Sequence, residues 1–501
     1  MLTGKMASTL HLYHCFVPLV SLFLVSAIFS CARRATGNGF LDPKSSKEEA
    51  HNSLVSSLNL PPKHGVGEDT EYTFEGRSRI AEKKFKFPFI LNSGDQPDPD
   101  WAHHTGYYKL QHGKDSRMFY YFFESRNNSR RDPVVLWLTG GPGCSGAVPL
   151  FYENGPFHIT DNLSLTWNEF GWDKVSNLLY VDQPIGTGFS YYSDPADIRH
   201  NAEGVIDDLF DFLQEFFMLH PLLMGNKLIL AGESYGGHYI PKLATRIRQA
   251  NKNKEGIFLN LKGLVIEGGM VWPEIQYQSY PDYALNMSLI TKADHDMLNA
   301  SVAKCGNEAK LCGPDGGAKC KDAYVTCNSI FHKILELHRG LNYYDIRKEC
   351  QGPMCYDFSN MERYMNLKSV KTALGVGDRQ FVSCSTTVYE AMTMDFMRNA
   401  EVDLPPILDD IWSVLVFVGE HDLINNWLGI SRWTEATVWS FQKEFVSSPT
   451  APLTIFGIKV GLQKGIGSFG VVRMYNSGHF VAMDQPKYTL EMMRSWLAET
   501  Y

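Results

Sequence analysis

Lys227-Leu228-Ile229-Leu230-Ala231-Gly232-Glu233-Ser234-Tyr235-Gly236 decides how this chain is read. The apolar run 228–231 stops at a glycine, and a second glycine stands two residues past the serine. A helix-compatible segment, residues 240–248, follows. Strand, tight turn and helix in that order lift a serine hydroxyl out of a sheet, and the glycines permit the sharp turn. Backbone N–H groups at the start of the new helix can then face an oxyanion. Ser234 is therefore the candidate nucleophile. The plain alternative for a G-x-S-x-G pentapeptide is a glycine-rich turn with an idle serine.

Working outward, short apolar runs recur at residues 134–138, 178–181, 264–266 and 414–418, with a more ambiguous one at 471–474. Most end at glycine, threonine or acidic residues. Runs of this length fit strands buried on both faces. Helical patterns lie between several of them, as at 204–217. The alternation predicts an α/β protein. With the serine turn, it predicts an α/β-hydrolase fold with a central, mostly parallel sheet.

A serine needs a base, and the base needs an orienting carboxylate. In this fold the order along the chain is Ser, acid, His. Asp422 follows the run 414–418 within Gly419-Glu420-His421-Asp422, and His479 lies in Asn476-Ser477-Gly478-His479. Both sit past strand ends, where ligand sites of open α/β sheets gather. Glu420 is the rival acid and His421 the rival base. Gly140-Gly141-Pro142-Gly143 follows the run 134–138, and its Gly141 N–H is the candidate second oxyanion donor.

The bulk composition bounds the rest. The chain has 501 residues, with 47 Lys plus Arg against 55 Asp plus Glu, a net charge of −8. That balance lacks the basic face of a nucleic-acid binder. Lys5 precedes an apolar run at 17–29, then Ser30, Cys31 and Ala32, so residues 1–32 read as a signal peptide rather than an anchor. No other stretch of about 18 apolar residues occurs, so no membrane association is expected after signal removal. Residues 33–84 are polar and read as a pro-segment or flexible arm, and residues 85–501 as the enzyme domain. Eight of the ten cysteines lie beyond the signal region, six of them between Asn286 and Cys355. That segment, extended to about 286–395, reads as a disulfide-rich cap inserted into the core. Zinc is the weaker reading, because no Cys-x-x-Cys or His-x-x-x-His pair accompanies the cysteines. No metal or organic cofactor is implied. Asn127, Asn162, Asn286 and Asn299 begin Asn-x-Ser sequons, consistent with export.

Taken together, these motifs resemble the serine carboxypeptidases, especially the plant type. The resemblance rests on Trp137 through Ser145 (the family's WLNGGPGCSS segment), Tyr152-Glu153-Asn154-Gly155-Pro156, and Asp182-Gln183-Pro184 with Gly186 through Ser190. It also rests on Gly232 through Tyr235, Asp422-Leu423-Ile424 with Asn426 through Gly429, and Gly478-His479. It implies removal of C-terminal residues from peptides and proteins, in acid, with Ser234, Asp422 and His479 as the triad. Gly141 and Tyr235 would form the oxyanion hole. Glu153 and Glu233, with Thr139 and Gly140, would receive the substrate's terminal carboxylate. It further implies disulfides Cys144–Cys384, Cys305–Cys327, Cys312–Cys320 and Cys350–Cys355. It places the protein in the secretory pathway, bound for the vacuole or the extracellular space. Tyr152, Tyr344 and Tyr356 match pocket positions roughly and are equally explicable as core aromatics.

The chain also departs from the family pattern. Thr139 stands where many members have Asn, and residues 145–149 differ from the usual run after the cysteine. Glu267-Gly268-Gly269-Met270 replaces a common GNGL block, and Asn425 occupies a usual Cys. Phe480 and Ala482 replace a Met and a Pro after the histidine. Two other readings follow: an acyltransferase on the same scaffold, against which Glu233 speaks because that branch often has Asp there, and a catalytically impaired relative that binds peptides.

Overall fold

The computed structural model describes residues 78–91, 103–352, 354–410 and 413–500. The predicted signal peptide and most of the predicted arm lie outside the described residues.

Eleven strands form one sheet. In chain order the strands are β1 (Ile80–Lys84), β2 (His103–Lys109), β3 (Arg117–Phe123), β4 (Val134–Leu138), β5 (Phe157–Ile159), β6 (Leu165–Trp167), β7 (Asn177–Asp182), β8 (Leu228–Glu233), β9 (Leu261–Glu267), β10 (Ser413–Gly419), β11 (Ala451–Ile455), β12 (Ile458–Ile466) and β13 (Phe469–Met474). The large sheet runs β1-β2-β3-β7-β4-β8-β9-β10-β13-β12-β11, and β5 and β6 pair separately. The centre, from β7 through β4, β8, β9 and β10 to β13, is parallel. Both flanks are antiparallel. This is the mixed, centrally parallel sheet of an α/β hydrolase, as expected.

Alternation along the central strands explains the two cores. Leu136, Leu228, Leu230, Leu264, Val414 and Val416 point to one face. There they meet helices α1 (Ala202–Leu219) and α2 (Gly236–Asn253) through Leu209, Phe212, Phe216, Ile240, Leu243 and Ile247. Val135, Trp137, Ile229, Val265, Leu415 and Phe417 point to the other face, where Met493 and Leu497 of the last helix pack. Every one of these strand positions is apolar because both faces are covered. Asn201 caps α1 by accepting from the Gly204 N–H.

The sheet begins at Ile80, inside the stretch read as an arm. β1 is an edge strand of sequence IAEKK, pairing Ile80–Lys84 against β2. Two adjacent apolar residues, Ile80 and Ala81, followed by three charged ones give no alternation to read.

Between β9 and β10 the described residues form helices and turns without a strand. The segment includes α3 (Lys292–Cys312), started by a Thr291–Asp294 capping box, and α4 (Cys320–Leu337). Their own apolar cluster includes Tyr277, Tyr280, Leu298, Ile330 and the four cysteines 305, 312, 320 and 327. The bonds are Cys305–Cys327, Cys312–Cys320, Cys350–Cys355 and Cys144–Cys384, as the resemblance implied. Among the described residues no helix is long and apolar enough to cross a membrane.

Candidate active site

Ser234 follows the last residue of β8 and precedes α2. Its φ of 54° lies in the left-handed region, which a residue with a Cβ enters only under constraint. The constraint is local. A Cβ on Gly232 or Gly236 would come within 2.2 or 2.5 Å of the Leu138 carbonyl oxygen, so only glycine lets β4 pass this close to the turn. The Ser234 N–H donates to the Glu267 carbonyl (3.1 Å) and its carbonyl accepts from Met270 (2.8 Å), which pins the turn to the end of β9.

Asp422 and His479 come from the ends of β10 and β13, which are neighbours in the sheet. His479 Nδ1 and Asp422 Oδ2 are 2.7 Å apart, and both side chains are buried. The second carboxylate oxygen of Asp422 accepts from the Asn425 N–H at 3.0 Å. Asp422 thus holds the imidazole with its proton on Nδ1, which leaves Nε2 as the basic nitrogen. Burial works to lower the His479 pKa, but the charge and hydrogen bond of Asp422, with Glu233 beyond, raise it above the ordinary histidine value. The rival base His421 faces Glu420 at 3.7 Å instead of Asp422.

The Gly140–Gly143 turn lies against the serine. A Cβ on Gly140 would meet the Tyr235 nitrogen at 2.6 Å and Ser234 Cβ at 2.7 Å. Among the described residues, the N–H groups of Gly141 and Tyr235 have no acceptor. Two uncommitted donors beside a nucleophile are what a developing oxyanion requires. Tyr235 is fixed from the cap side, where its hydroxyl donates to Asp395 (2.6 Å) and Arg398 holds the same carboxylate at 2.8 Å.

Glu153 and Glu233 are buried side by side. Burial, then the charge of Glu233, raises the Glu153 pKa well above the carboxylate range. Burial pushes Glu233 up to about 7, although the His479 charge and a hydrogen bond from Glu153 act to lower it. Written as two carboxylates, both Glu153 oxygens and Glu233 Oε2 lack a donor among the described residues. A proton on Glu153 turns the contact into a hydrogen bond that Glu233 accepts. Among the described residues the buried Thr139 hydroxyl also has no partner, while its carbonyl accepts from Gln183 at 3.1 Å. Tyr344, Tyr356 and Phe480 form an aromatic cluster next to the imidazole, with Tyr344 and Phe480 centred 5.1 and 5.3 Å from the His479 ring. Tyr152 reaches the same cluster through Phe358.

The serine carboxypeptidase family model matches residues 93–499. The chain belongs to the serine carboxypeptidase family. Serine carboxypeptidase-like 48 of Arabidopsis thaliana is 53% identical over 450 residues, covering 89% of this chain and 88% of that protein. Serine carboxypeptidase 3 of Oryza sativa subsp. japonica is 49% identical over 498 residues, covering 96% and 97%. Among solved structures, a prohormone-processing carboxypeptidase of Saccharomyces cerevisiae, Kex1, superposes with a TM-score of 0.74 at 25% identity, covering 83% of this chain and 95% of that one.

Within this family member, one buried group escaped the sequence reading. Glu267 was visible only as part of an altered block. Its carboxyl accepts from the Val481 N–H at 2.5 Å and the Ala482 N–H at 3.3 Å, partners more than 200 positions away in sequence. No local pattern connects residues that far apart.

Proposed function

We propose that this protein is a serine-type carboxypeptidase that removes C-terminal residues from peptides and proteins in acid. The observation that carries this reading is the buried Glu153–Glu233 pair ending one residue before Ser234. A protonated carboxyl there donates to the free carboxylate of a substrate, and so sets the last peptide bond over the serine. Ser234 Oγ attacks that carbonyl carbon while His479 Nε2 takes its proton. The oxyanion rests on the N–H groups of Gly141 and Tyr235. The leaving amine takes the proton from His479, and water then releases the acyl group by the same route.

The acid preference follows from two linked titrations. Below about 7 Glu233 is protonated and can donate. Its negative charge is also one of the groups that raise His479. Protonating Glu233 removes that contribution and leaves Asp422 as the group that raises the imidazole. Above about 7, Glu233 ionises, the proton left on Glu153 is donated to Glu233 instead of to substrate, and a like charge faces the substrate carboxylate.

Export through an oxidising compartment to the vacuole or extracellular space is part of the proposal. It is supported by four disulfides and by the exposure of Asn127, Asn162, Asn286 and Asn299.

The test offers the purified protein matched peptides with free and amidated C-termini, followed by mass spectrometry at several pH values. Stepwise loss of C-terminal residues from the free peptide alone, best in acid and absent in Ser234→Ala, is expected. Equal rates on both peptides, or acyl transfer to an added alcohol in preference to hydrolysis, would reject it.

A further inference from the structure

Three departures from the family pattern meet at one place. Glu267 stands at the first position of the altered GNGL block, and Phe480 and Ala482 flank Val481 just after His479. The carboxyl of Glu267, at the end of β9, receives the N–H groups of Val481 and Ala482 on one oxygen. A proline at 482 has no N–H to give, and a glycine at 267 has no carboxyl to receive it. The Val481 bond needs only the carboxyl at 267, and the second bond, from Ala482, needs both departures together.

The neighbouring glycine shows what the contact replaces. Gly268 lies beside the catalytic dyad, where an added Cβ would sit 3.2 Å from Asp422 Oδ2 and 3.5 Å from His479 Nδ1. The Asn of a GNGL block would begin its side chain there, against the Asp–His pair. Here no side chain begins at 268, and a side chain one residue earlier holds the histidine-bearing segment from the sheet. Glu267 is fully buried, aligned in register with Glu233 on β8 and Phe417 on β10. Both neighbours are central strands, so the anchor is rigid.

We propose that Glu267 is a positioning residue for His479: its Oε1 tethers the Val481–Ala482 backbone and so fixes the imidazole and the Phe480 ring that follows it. Glu267 acts through the backbone and does not touch the reacting atoms. A neutral carboxyl suffices, because a carbonyl oxygen accepts both N–H groups. This rests on the reading of His479 as the base of Ser234.

The experiment uses the full mature chain with Glu267→Gln, Glu267→Leu, Ala482→Pro and the Leu–Pro double variant. Glu267→Gln keeps the acceptor and should hold kcat within about two-fold of wild type. Glu267→Leu fills the same space without an acceptor and should lower kcat by roughly ten-fold or more, with KM nearly unchanged. Ala482→Pro should lower kcat several-fold in the native background and have no effect in the Glu267→Leu background. The same cycle in the thermal midpoint reads the tether without turnover. Wild-type kcat in Glu267→Leu, equal loss in the Gln and Leu variants, or a proline effect that is the same in both backgrounds would each overturn the proposal. A wild-type protein inert to peptides and to a fluorophosphonate probe would instead reject the catalytic reading, and the midpoint cycle would still judge the tether.

Discussion

Glu153 and Glu233 illustrate how much a single proton decides at the scale of one residue. The proton that Glu233 offers to substrate is present below about 7 and lost as Glu233 ionises above it, while the Glu153 proton is then held by Glu233. KM for a free-carboxylate peptide should therefore climb as pH rises through that value, while KM for a blocked ester substrate stays flat. A Glu153→Gln/Glu233→Gln double variant carries permanent donors and no titration. Its KM for the free peptide should be independent of pH, which steady-state kinetics between pH 5 and pH 8 would show; a wild-type-like rise would refute the pair's role. Asn425 offers a second residue-scale test. The resemblance places a cysteine there, but this chain has a buried Asn whose Oδ1 has no partner among the described residues. All eight cysteines among the described residues are in disulfides. The mature enzyme should keep its activity in a mercurial or a maleimide, and Asn425→Cys should make it sensitive, because a thiol would then lie beside Asp422.

Among the elements, β1 depends on one acid. Glu82 contacts His104 Nδ1 at 2.8 Å and His220 Nε2 at 2.9 Å, and accepts from the Tyr120 hydroxyl at 2.7 Å. Burial alone would raise the Glu82 pKa, but the two histidines bring it down to about 2. Burial would lower His104, but Glu124 and Glu82 raise it to about 9. The depressed acid gives stability that is complete above its unfolded value and lost as pH falls through about 2. The raised histidine gives stability complete below its unfolded value and lost as pH rises through about 9. The edge strand is thus held throughout the acid range in which the enzyme should work. Glu82→Ala removes the buried carboxylate that His104 and His220 share and should cost about 3 kcal/mol at pH 5. A lower denaturation midpoint and faster tryptic cleavage at Arg79 would show it; unchanged cleavage would not fit. The same element marks the limit of sequence legibility. β4, β7, β8, β9 and β10 were readable because burial on both faces makes each nearly all apolar. β1 was not readable, since its sequence is mostly charged and it is held by contacts to residues 104 and 220. Ser234, Asp422 and His479 could be picked out as candidates because each sits in a short motif past a strand end. The Glu267 contact could not, because its acceptor and donors are brought together only by the fold.

At the scale of the whole molecule, the cysteines tie the inserted segment to the catalytic machinery. Cys144 directly follows the Gly140–Gly143 turn, and Cys384 lies 240 positions later, near the end of the insertion between β9 and β10. Backbone bonds reinforce the joint: Ser145 N–H donates to the Ser383 carbonyl at 2.8 Å, and Ser385 N–H to the Gly143 carbonyl at 2.8 Å. The far end of the insertion is thus clamped to the turn that presents the Gly141 N–H. Chain-entropy arithmetic separates this bond from the others. A closed loop of this length restricts the unfolded chain by about 5 kcal/mol, and one as short as Cys350–Cys355 by about 2 kcal/mol. A Cys144→Ser/Cys384→Ser variant should therefore lose more stability than a Cys350→Ser/Cys355→Ser variant. It should also lose kcat, because the turn carrying the proposed oxyanion donor Gly141 loses its covalent anchor, whereas the short loop holds no such candidate. Denaturant midpoints rank the two variants, and kcat under native conditions separates the roles. Equal kcat in both would mean that hydrogen bonds alone set the Gly141 turn, and that the long bond serves only to hold the insertion to the sheet.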